Sequence, residues 1–354
     1  MNKTTRIAIN GFGRIGRLFL RAAFAKASAG QAGLNLDIVA INDLGDIENL
    51  AYLFKYDSVY RVFPGEVSVK KSDKNYLVVD DKEILIIQEK DPVKLPWAEL
   101  KIDIVVEATG VFESFEKSKA HLDAGARRVV MTAPAKDDEG SAGGRTVLMG
   151  INENDLAKTN LTCNASCTTN ATSPIIFILS ENPGIQKAVL NTIHAYTNTQ
   201  TTVDTLVKGS DFRRGRAAAQ NIIPSTTGAA IAVTRVISDL KGKFDGIAVR
   251  VPVVTGSLID LTFLAKRKTT PEEINDILRK AAATPRWENL IKVSDDQLVS
   301  SDIIGQSYAT VVDSKFTKVI DGDLVKVLAW YDNEWGYVTT LVSHVLKAAE
   351  TLYK

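Results

Sequence analysis

RIAINGFGRIGRLFLRAAFAKA, residues 6–27, is the most informative stretch of this chain. Its first apolar run predicts a buried strand, and residues 18–27 have the spacing of a helix. Between the two, GFGRIG fits the pattern G-x-G-x-x-G, in which the glycines permit a tight turn and a close approach of a pyrophosphate. The N-terminus of the helix would then face the phosphates. Gly11, Gly13 and Gly16 are therefore candidate dinucleotide-binding residues, although the pattern alone also fits a structural turn.

The next apolar run, DIVAIND (37–43), ends on an acidic residue, Asp43. A carboxylate at the end of the second strand can accept hydrogen bonds from both ribose hydroxyls of an adenosine, and it repels a 2′-phosphate. This position favours NAD over NADP. Strand-like runs at 101–110 and 126–135 and a helix at 47–56 continue the alternation. The first half of the chain therefore predicts a parallel sheet with helices on its faces.

From about residue 167 the strand-like runs become longer and partly alternating, as at 257–266. DGD (321–323), between two such runs, predicts a hairpin. These runs predict an antiparallel sheet with a helix at 271–282 on one of its faces. The predicted fold class is an α/β Rossmann dinucleotide-binding domain plus an α+β catalytic domain with a mainly antiparallel sheet. The predicted domains are residues 1–166, completed by a C-terminal helix at 334–354, and residues 167–333.

The composition is that of an ordinary globular protein of 354 residues, with 45% apolar and 24% charged residues. A net charge of +1 gives no field that would attract nucleic acid. No apolar run approaches the roughly 18 residues that span a bilayer, and the N-terminus lacks the features of a signal peptide. Two cysteines four residues apart cannot form a disulfide framework, which indicates a reducing compartment. We expect a cytoplasmic protein that binds neither membrane nor nucleic acid.

NASCTTNAT (164–172) places Cys167 among small polar residues. A helix that begins there would put the thiol at the positive end of the dipole, which lowers a thiol pKa and favours the thiolate. Pro174 would lie inside that helix, so a kink or a later start is expected. Cys163 and Cys167 have no histidine cluster nearby, so no metal site is predicted, and Cys163 is interpreted as a buried small residue.

A nucleophilic thiol needs a base, and the chain has three histidines. His121 is predicted on an exposed helix, and His344 lies in the C-terminal helix. His194 ends an apolar run and opens a polar one, the kind of position where catalytic side chains are presented. It is the candidate partner of Cys167. A structural histidine explains the same position equally well.

Residues 211–228 combine arginines, hydroxyls and glycine, a composition that suits a phosphate or a carboxylate. Arg214, Thr227 and Gly228 lie in this segment. Arg250 lies in the apolar run IAVRVP, where a charge is costly unless it is paired or bound to a ligand. For Arg214 a solvated loop is an equally good interpretation, whereas for Arg250 the ligand interpretation is favoured.

Together these segments resemble phosphorylating glyceraldehyde-3-phosphate dehydrogenases along nearly the whole chain. NASCTTN, in this order with the other segments, is highly specific. The matching segments are NGFGRIGR, AINDL, KYDS, EATG, TAPAK, NASCTTN, IHAYTNTQ, RRGRAAAQNIIPSTTGAA, VRVP and WYDNEWGY.

The resemblance implies that glyceraldehyde 3-phosphate is oxidised with NAD and inorganic phosphate to 1,3-bisphosphoglycerate. Cys167 would attack the aldehyde to give a thiohemiacetal, and His194 would act as the base. Phosphate would then cleave the resulting thioester. The implied substrate and phosphate ligands are Ser166, Thr168, Thr197, Arg214, Thr227, Gly228 and Arg250. The implied cofactor ligands are Gly11, Gly13, Arg14, Ile15, Gly16, Asp43, Lys90, Thr109, Gly110, Thr132 and Asn333.

The segment from 197 to about 216 resembles the S-loop of this family, which packs against a neighbouring subunit, and it implies a homotetramer. Two alternatives remain. Erythrose-4-phosphate dehydrogenase shares NASCTTN but hydrolyses the thioester with water, and STTG (225–228) favours the phosphorylating enzyme instead. A binding protein without chemistry would not be expected to keep Cys167, His194, Arg214 and Arg250 together.

Overall fold

The computed structural model describes residues 3–28, 34–207 and 209–353. The chain divides into two compact units, one of residues 1–165 with 341–354 and the other of residues 166–340. The domain limits inferred from the sequence, 166/167 and 333/334, stay predictions, since a compact unit is not by itself an independently folding domain.

The first unit contains a nine-stranded mixed sheet and a separate two-stranded sheet. Its strands are β1 (Lys3–Asn10), β2 (Leu34–Asn42), β3 (Tyr56–Asp57), β4 (Arg61–Val62), β5 (Val67–Lys71), β6 (Asn75–Val79), β7 (Lys82–Ile87), β8 (Ile104–Glu107), β9 (Arg128–Met131), β10 (Arg145–Thr146) and β11 (Leu161–Cys163). The sheet order is β10-β11-β9-β8-β1-β2-β7-β6-β5, and β3 pairs separately with β4. Helices in this unit are α1 (Arg14–Ser28), α2 (Ile47–Lys55), α3 (Phe115–Ser118) and α4 (Ala120–Asp123).

The predicted parallel sheet is confirmed for the centre of this unit. Strand β1 pairs in parallel with both β2 and β8, and every residue of β8 and β9 is buried. The antiparallel pairs β5–β6 and β6–β7 were not predicted. They extend the edge of the sheet through short hairpins whose strands are only partly buried, so their apolar pattern is weak.

The second unit contains the mainly antiparallel sheet that the sequence predicts. Its strands are β12 (Ile185–Ala195), β13 (Ile223–Thr226), β14 (Phe244–Val251), β15 (Ser257–Ala265), β16 (Ile291–Ser294), β17 (Thr310–Ile320) and β18 (Leu324–Tyr331). The sheet order is β13-β14-β12-β15-β18-β17-β16. The pairs β12–β14 and β16–β17 are parallel, and the other neighbours are antiparallel. The helices that follow or connect them are α5 (Cys167–Glu181), α6 (Ala229–Val236) and α7 (Pro271–Ala282). Helix α8 (Trp335–Thr351) follows β18 and belongs to the first unit from residue 341 onward.

Local sequence explains where several of these elements begin and turn. The hairpin β17–β18 turns at DGD (321–323), with positive φ of 47° at Asp321 and 76° at Gly322, as a tight hairpin turn requires. Helix α7 begins with Pro271 after Thr270, whose hydroxyl accepts a hydrogen bond from the Glu273 N–H. None of the helices in the described part of the chain is long and apolar enough to cross a membrane.

Of the two consequences expected from Pro174, a kink or a later start, the later start of the helix is wrong, and the kink stays a prediction. Helix α5 begins at Cys167 itself and includes Pro174. Ser166 fixes this start, because its hydroxyl caps the helix by accepting from the Thr169 N–H at 3.1 Å. The cap contributes only about 1 kcal/mol, less than the roughly 3 kcal/mol that an internal proline costs. The burial of residues 168–176 against the rest of the chain supplies further stabilisation of α5.

The expected exposure of His121 is also wrong, since its side chain is fully buried in α4. Both ring nitrogens have partners: the Trp97 indole N–H at Nδ1 and the Glu107 carboxylate at Nε2. A polar group that is hydrogen-bonded on both sides can be buried at little cost, and the local sequence does not show those distant partners.

Candidate active site

Cys167 is presented at the first turn of α5, and His194 near the end of strand β12. The Cys167 Sγ lies 3.4 Å from the His194 Nε2. This is hydrogen-bonding distance for sulfur, so a proton can pass between the two groups when the His194 Nε2 is unprotonated. The pairing predicted from the sequence is thus present in the geometry, while its chemical role is a matter of proposal.

The expected low pKa of the Cys167 thiol is not what the structure gives. Burial raises the pKa of this thiol, and the positive charge of Arg250 together with the hydroxyl and backbone N–H of Thr168 opposes that rise without cancelling it. The helix N-terminus favours the thiolate, but removal of the sulfur from water is the larger effect. The thiol form prevails when nothing is bound, and a base has to take the proton.

Strand pairing places Arg250 beside His194. The two residues are register partners in the parallel pair β12–β14, which brings their side chains together. The Arg250 Nη1 lies 2.7 Å from the His194 Nδ1 and donates to the Ala195 carbonyl at 2.9 Å. The His194 Nδ1 is itself 2.6 Å from that carbonyl.

These contacts define two alternative tautomers of His194. If Arg250 donates to Nδ1, that nitrogen is bare and Nε2 carries the proton. If Nδ1 carries the proton and donates to the Ala195 carbonyl, Nε2 is bare and can accept the proton of the thiol. Only the second tautomer is a base towards Cys167.

Burial, followed by the charge of Arg250, lowers the pKa of His194 to about 3. The imidazole is therefore neutral at physiological pH. The ring is held at its edge by Tyr331, with the ring centroids 5.9 Å apart at 80°. The Tyr331 hydroxyl lies 3.0 Å from the Thr168 Oγ1 and 2.8 Å from the Thr192 Oγ1.

Two arginines give the site its positive charge. The Nε of Arg250 is buried and has no hydrogen-bond partner within residues 3–28, 34–207 and 209–353. Arg214 donates from Nη1 to the Thr199 Oγ1 at 3.0 Å and from Nη2 to the Ser225 Oγ at 2.7 Å. The Thr199 hydroxyl is 2.9 Å from the Thr197 Oγ1, so the structure links Thr197 to Arg214. A cation with an unsatisfied donor suits an oxyanion ligand.

Hydroxyls and backbone N–H groups of the site lie at two helix N-termini. Ser166 caps α5 and Thr168 lies in its first turn. Gly228 precedes α6, and the Thr227 hydroxyl accepts from the Ala229 N–H at 3.2 Å. Such N-termini favour anions. The described hydrogen bonds do not join Thr227 or Gly228 directly to Cys167 or His194.

The glycine loop of the first unit has the geometry of a dinucleotide site. A Cβ on Gly11 would lie 2.6 Å from the backbone of Ala108 and Thr109, and a Cβ on Gly16 would collide with the Gly11 carbonyl. A Cβ on Gly13 would meet nothing within 4 Å, so this position is open to a ligand. Helix α1 begins at Arg14, four residues before the predicted helix, which places the N–H groups of its first turn at the loop.

A cavity of about 360 Å³ lies beside this loop. Among the predicted cofactor ligands it is lined by Gly11, Gly13, Asp43, Lys90 and Thr109. The Asp43 carboxylate accepts from the Phe12 N–H at 2.7 Å and from the Gly45 N–H at 2.8 Å, which fixes the loop against the end of β2. Each oxygen keeps a lone pair for a ribose hydroxyl, so these residues fit an adenine dinucleotide.

The other predicted cofactor ligands are placed as follows. Gly110 has a φ of 67° and follows Thr109, and the Thr132 N–H donates to the Glu107 carbonyl at 2.9 Å. Ile15 lies in the first turn of α1, and the Arg14 side chain binds Asp57 at 2.6 Å. Asn333 belongs to the second unit, where its Oδ1 accepts from the Ser257 hydroxyl at 2.8 Å.

Comparison with known proteins identifies the relatives of this chain. Residues 5–115 match the family model described as glyceraldehyde 3-phosphate dehydrogenase, NAD binding domain, and residues 166–333 match the C-terminal domain of the same family. A glyceraldehyde-3-phosphate dehydrogenase of Zymomonas mobilis is 44% identical over 98% of this chain and 99% of its own length. Those of Borreliella burgdorferi and Thermotoga maritima are 46% and 48% identical, each over 95% of this chain and 97% of its own length.

The chain belongs to the glyceraldehyde-3-phosphate dehydrogenase family. The Rossmann and catalytic domains inferred from the sequence are those of this family, and NAD is its cofactor. The chain is accordingly an NAD-dependent oxidoreductase.

Sequence reasoning missed two side chains of this dehydrogenase site. Thr199 joins Arg214 to Thr197, and Tyr331 joins Thr168 to the ring of His194. The alternating burial of β18 could have indicated that Tyr331 faces inward, but its partners lie more than a hundred residues away. The sequence signal available for Thr199 was that it carries a hydroxyl two positions after the predicted ligand Thr197.

Proposed function

We propose that this chain catalyses the reversible oxidative phosphorylation of D-glyceraldehyde 3-phosphate to 1,3-bisphosphoglycerate, with NAD and inorganic phosphate. The observation that carries the proposal is the contact of a thiol with a neutral imidazole, 3.4 Å apart, beside an arginine with an unsatisfied donor. A nucleophile and a base serve acyl transfer, and the arginine supplies recognition of a phosphorylated substrate.

In the first step the thiol of Cys167 adds to the aldehyde carbon. A bond forms between Sγ and that carbon, and the carbonyl oxygen receives a proton, which gives a thiohemiacetal. The helix N-terminus at Cys167 stabilises the developing oxyanion, a contribution that is typically several kcal/mol. His194 accepts the thiol proton at Nε2 and returns it to the oxygen.

The substrate phosphate engages Arg250, Thr197 and Arg214. Because Arg250 then binds an anion, its Nη1 is drawn from the His194 Nδ1. The Nδ1 proton is donated to the Ala195 carbonyl and Nε2 is left bare. Substrate binding thereby selects the basic tautomer of His194.

In the second step His194 removes the hydroxyl proton of the thiohemiacetal and the C–H bond breaks. NAD supplies the acceptor of the hydride when it is bound. The product on the chain is a thioester of Cys167. Inorganic phosphate, held by Ser166, Thr168, Thr227 and Gly228 at two helix N-termini, then attacks the thioester carbon, and the thiolate of Cys167 leaves.

The test follows NADH absorbance with purified protein, NAD and glyceraldehyde 3-phosphate, with and without inorganic phosphate. A fast phosphate-dependent rate is expected, and Cys167→Ser should lower it by roughly 10⁴-fold or more. If the rate does not depend on phosphate, water would be the group that cleaves the thioester, and erythrose 4-phosphate would be the next substrate to assay. Absence of NADH from folded protein would refute the enzymatic proposal.

The assembly we propose is a homotetramer in the cytoplasm. Support comes from the segment 197–216, in which Leu206 is 97% and Phe212 76% exposed. We assign these two side chains to the surface that a neighbouring subunit covers, as the resemblance of this segment to the S-loop implies. Sedimentation equilibrium of the purified chain tests the stoichiometry, and Leu206→Asp should shift it towards smaller species.

A further inference from the structure

Glu107 is a buried carboxylate at the end of β8, next to the residues that line the cofactor cavity. Its side chain is only 3% exposed. Oε1 accepts from the Thr109 N–H at 2.9 Å and from the Thr109 hydroxyl. Oε2 accepts from the Asn10 amide at 2.5 Å and lies 3.0 Å from the His121 Nε2. Four donors converge on this single side chain, whose two oxygens have enough lone pairs to accept from all of them.

Trp97 fixes the tautomer of the histidine in this network. An indole N–H can only donate, and the Trp97 Nε1 lies 3.1 Å from the His121 Nδ1. Nδ1 is therefore the acceptor, and Nε2 carries the proton and donates to Glu107. His121 is thus held as a neutral donor and is not available as a base.

The network continues from Glu107 to the wall of the cavity. The Asn10 Oδ1 accepts from the Asn42 Nδ2 at 2.7 Å, and the Asn42 Oδ1 accepts from the Glu89 N–H at 2.9 Å. Asn10, Asn42, Glu89 and Thr109 all line the cavity. Glu107 and His121 do not line it, so they act on it only through these neighbours.

The position of the network in the sheet indicates its purpose. Asn10, Asn42 and Glu107 are the last residues of β1, β2 and β8, which are adjacent in the order β8-β1-β2. Ligands of open α/β sheets bind at the carboxyl ends of the strands, where the strand order reverses. A buried polar network rigidifies its surroundings when its members are hydrogen-bonded. Two of the three residues that donate to Glu107, Asn10 and Thr109, line the cavity, and His121 does not.

We propose that Glu107 and His121 are positioning residues for NAD: they hold Asn10, Asn42 and Thr109 in the orientation that binds the cofactor, without touching it. The inference rests on the cofactor cavity assigned above. It gives a functional role to a histidine and a carboxylate that the proposed chemistry at Cys167 does not use.

The test measures the NAD dissociation constant of the full chain by calorimetry, together with the KM for NAD and the KM for glyceraldehyde 3-phosphate. Glu107→Gln replaces one carboxylate oxygen, which accepts hydrogen bonds, with an NH₂ group that faces the N–H and O–H donors of its neighbours. We therefore expect NAD affinity to fall about tenfold or more. His121→Gln should weaken NAD binding in the same direction. The KM for glyceraldehyde 3-phosphate should stay within about twofold, a split that a general loss of stability would not produce.

His344→Gln is the matched control. His344 is also fully buried in the first unit and is bound at both ring nitrogens, with the Thr162 Oγ1 at 2.8 Å and the Asn164 Oδ1 at 3.1 Å. Neither partner lines the cavity. This variant should lower the thermal unfolding midpoint as His121→Gln does, but it should leave NAD affinity within about twofold.

A spectroscopic readout covers the case in which Glu107→Gln does not fold. The indole N–H resonance of Trp97, assigned by its loss in Trp97→Phe, should shift when NAD is added to the otherwise unchanged chain.

Asp43→Asn separates this inference from the cavity assignment. If Asp43→Asn weakens NAD binding while folded Glu107→Gln and His121→Gln bind like the parent, or if the indole signal does not move, the inference is overturned and the cavity stands. If Asp43→Asn also has no effect, the cavity assignment and the inference fail together.

Discussion

His194 in the second unit and His121 in the first are both buried, 4% and 0% exposed, and both have partners at the two ring nitrogens. They differ in the charge beside them. His194 lies against the guanidinium of Arg250, whereas His121 donates to the carboxylate of Glu107. Burial alone therefore does not make a histidine a base. What distinguishes His194 is the Cys167 thiol, the proposed nucleophile, at Nε2 and a choice between Arg250 and the Ala195 carbonyl at Nδ1.

The same contrast extends to the surroundings of each ring. Around His194 a cation keeps an unsatisfied donor, so the site is completed by an anionic ligand. The ring of His121 accepts from Trp97 and donates to Glu107, which also accepts from Asn10 and Thr109, so both ring nitrogens are satisfied within the chain. On our proposals, the arrangement around His194 binds substrate and reacts, and the arrangement around His121 holds the neighbouring side chains in place.

Exchange of each histidine for glutamine tests the comparison most directly. His194→Gln removes the base and should lower kcat by about 10²–10⁴-fold with little change in NAD affinity. His121→Gln should instead keep kcat near that of the parent and raise the KM for NAD. Steady-state kinetics with both substrates varied provide the measurement. Equal losses of kcat in the two variants would mean that the histidines are not functionally different.

The sequence could predict the elements on which both histidines lie, because apolar periodicity and glycine turns are local signals. It could also pair Cys167 with His194, since a lone thiol at a helix start and a histidine at a strand end are unusual positions. It could not predict the Arg250 contact, which arises from the register of β14 against β12, more than fifty residues apart. Nor could it predict the burial of His121, whose partners Trp97 and Glu107 lie on other elements.

Arg250→Met removes the charge that makes the surroundings of His194 opposite to those of His121. Loss of one partner from a buried charge-assisted contact costs about 2–5 kcal/mol, so kcat/KM for glyceraldehyde 3-phosphate should fall by about 10²-fold or more. Because Arg250 also lowers the pKa of His194, the variant should raise that pKa, although burial continues to depress it. The acid limb of the kcat profile should therefore move to higher pH.

Arg279→Met is the control for this experiment, since Arg279 is an exposed arginine of α7 that binds Asp295. Its kcat/KM and its pH profile should match the parent. An acid limb that stays in place in Arg250→Met would contradict the electrostatic link between Arg250 and His194.

His344 extends the comparison of buried histidines to the pH dependence of the free energy of unfolding. Burial lowers its pKa to about 3, as it does for His194, so both rings are neutral in the folded chain. An unfolded histidine binds its proton below about pH 6.5. His344 therefore does not lower the free energy of unfolding above about pH 6.5. As the pH falls from about 6.5 towards 3, that free energy decreases, because the unfolded histidine binds a proton that the folded one does not. Each such histidine contributes a slope of about 1.4 kcal/mol per pH unit in the free energy of unfolding.

Urea unfolding of the parent and of His344→Gln at pH 7.5 and 5.5 measures this slope. The parent should lose its stability advantage over the variant as the pH falls, because the variant lacks one of the titrating groups. The other ionisable groups are common to both chains and cancel in the difference. A difference that is the same at both pH values would show that His344 is not held neutral by burial.

The aromatic neighbours of the two histidines yield the smallest predicted effect. Trp97 bonds directly to a ring nitrogen of His121, whereas Tyr331 meets His194 only with its ring and uses its hydroxyl for Thr168 and Thr192. Burial keeps the pKa of Tyr331 above its ordinary value, so the hydroxyl stays protonated. Tyr331→Phe should therefore preserve the His194 ring position and lower kcat only a few-fold.

The hydroxyls of Thr168 and Thr192 lose a buried partner in Tyr331→Phe, which should cost about 1–3 kcal/mol of unfolding free energy. If Thr168 binds the attacking phosphate, the KM for inorganic phosphate should rise a few-fold while the KM for NAD stays unchanged. Trp97→Phe should show the reverse pattern, because it frees the Nδ1 of His121 and loosens the network at the cofactor cavity. A rise in the KM for NAD in Tyr331→Phe, or in the KM for phosphate in Trp97→Phe, would mean that the two networks are not separate, since each aromatic side chain would then act on both ligands.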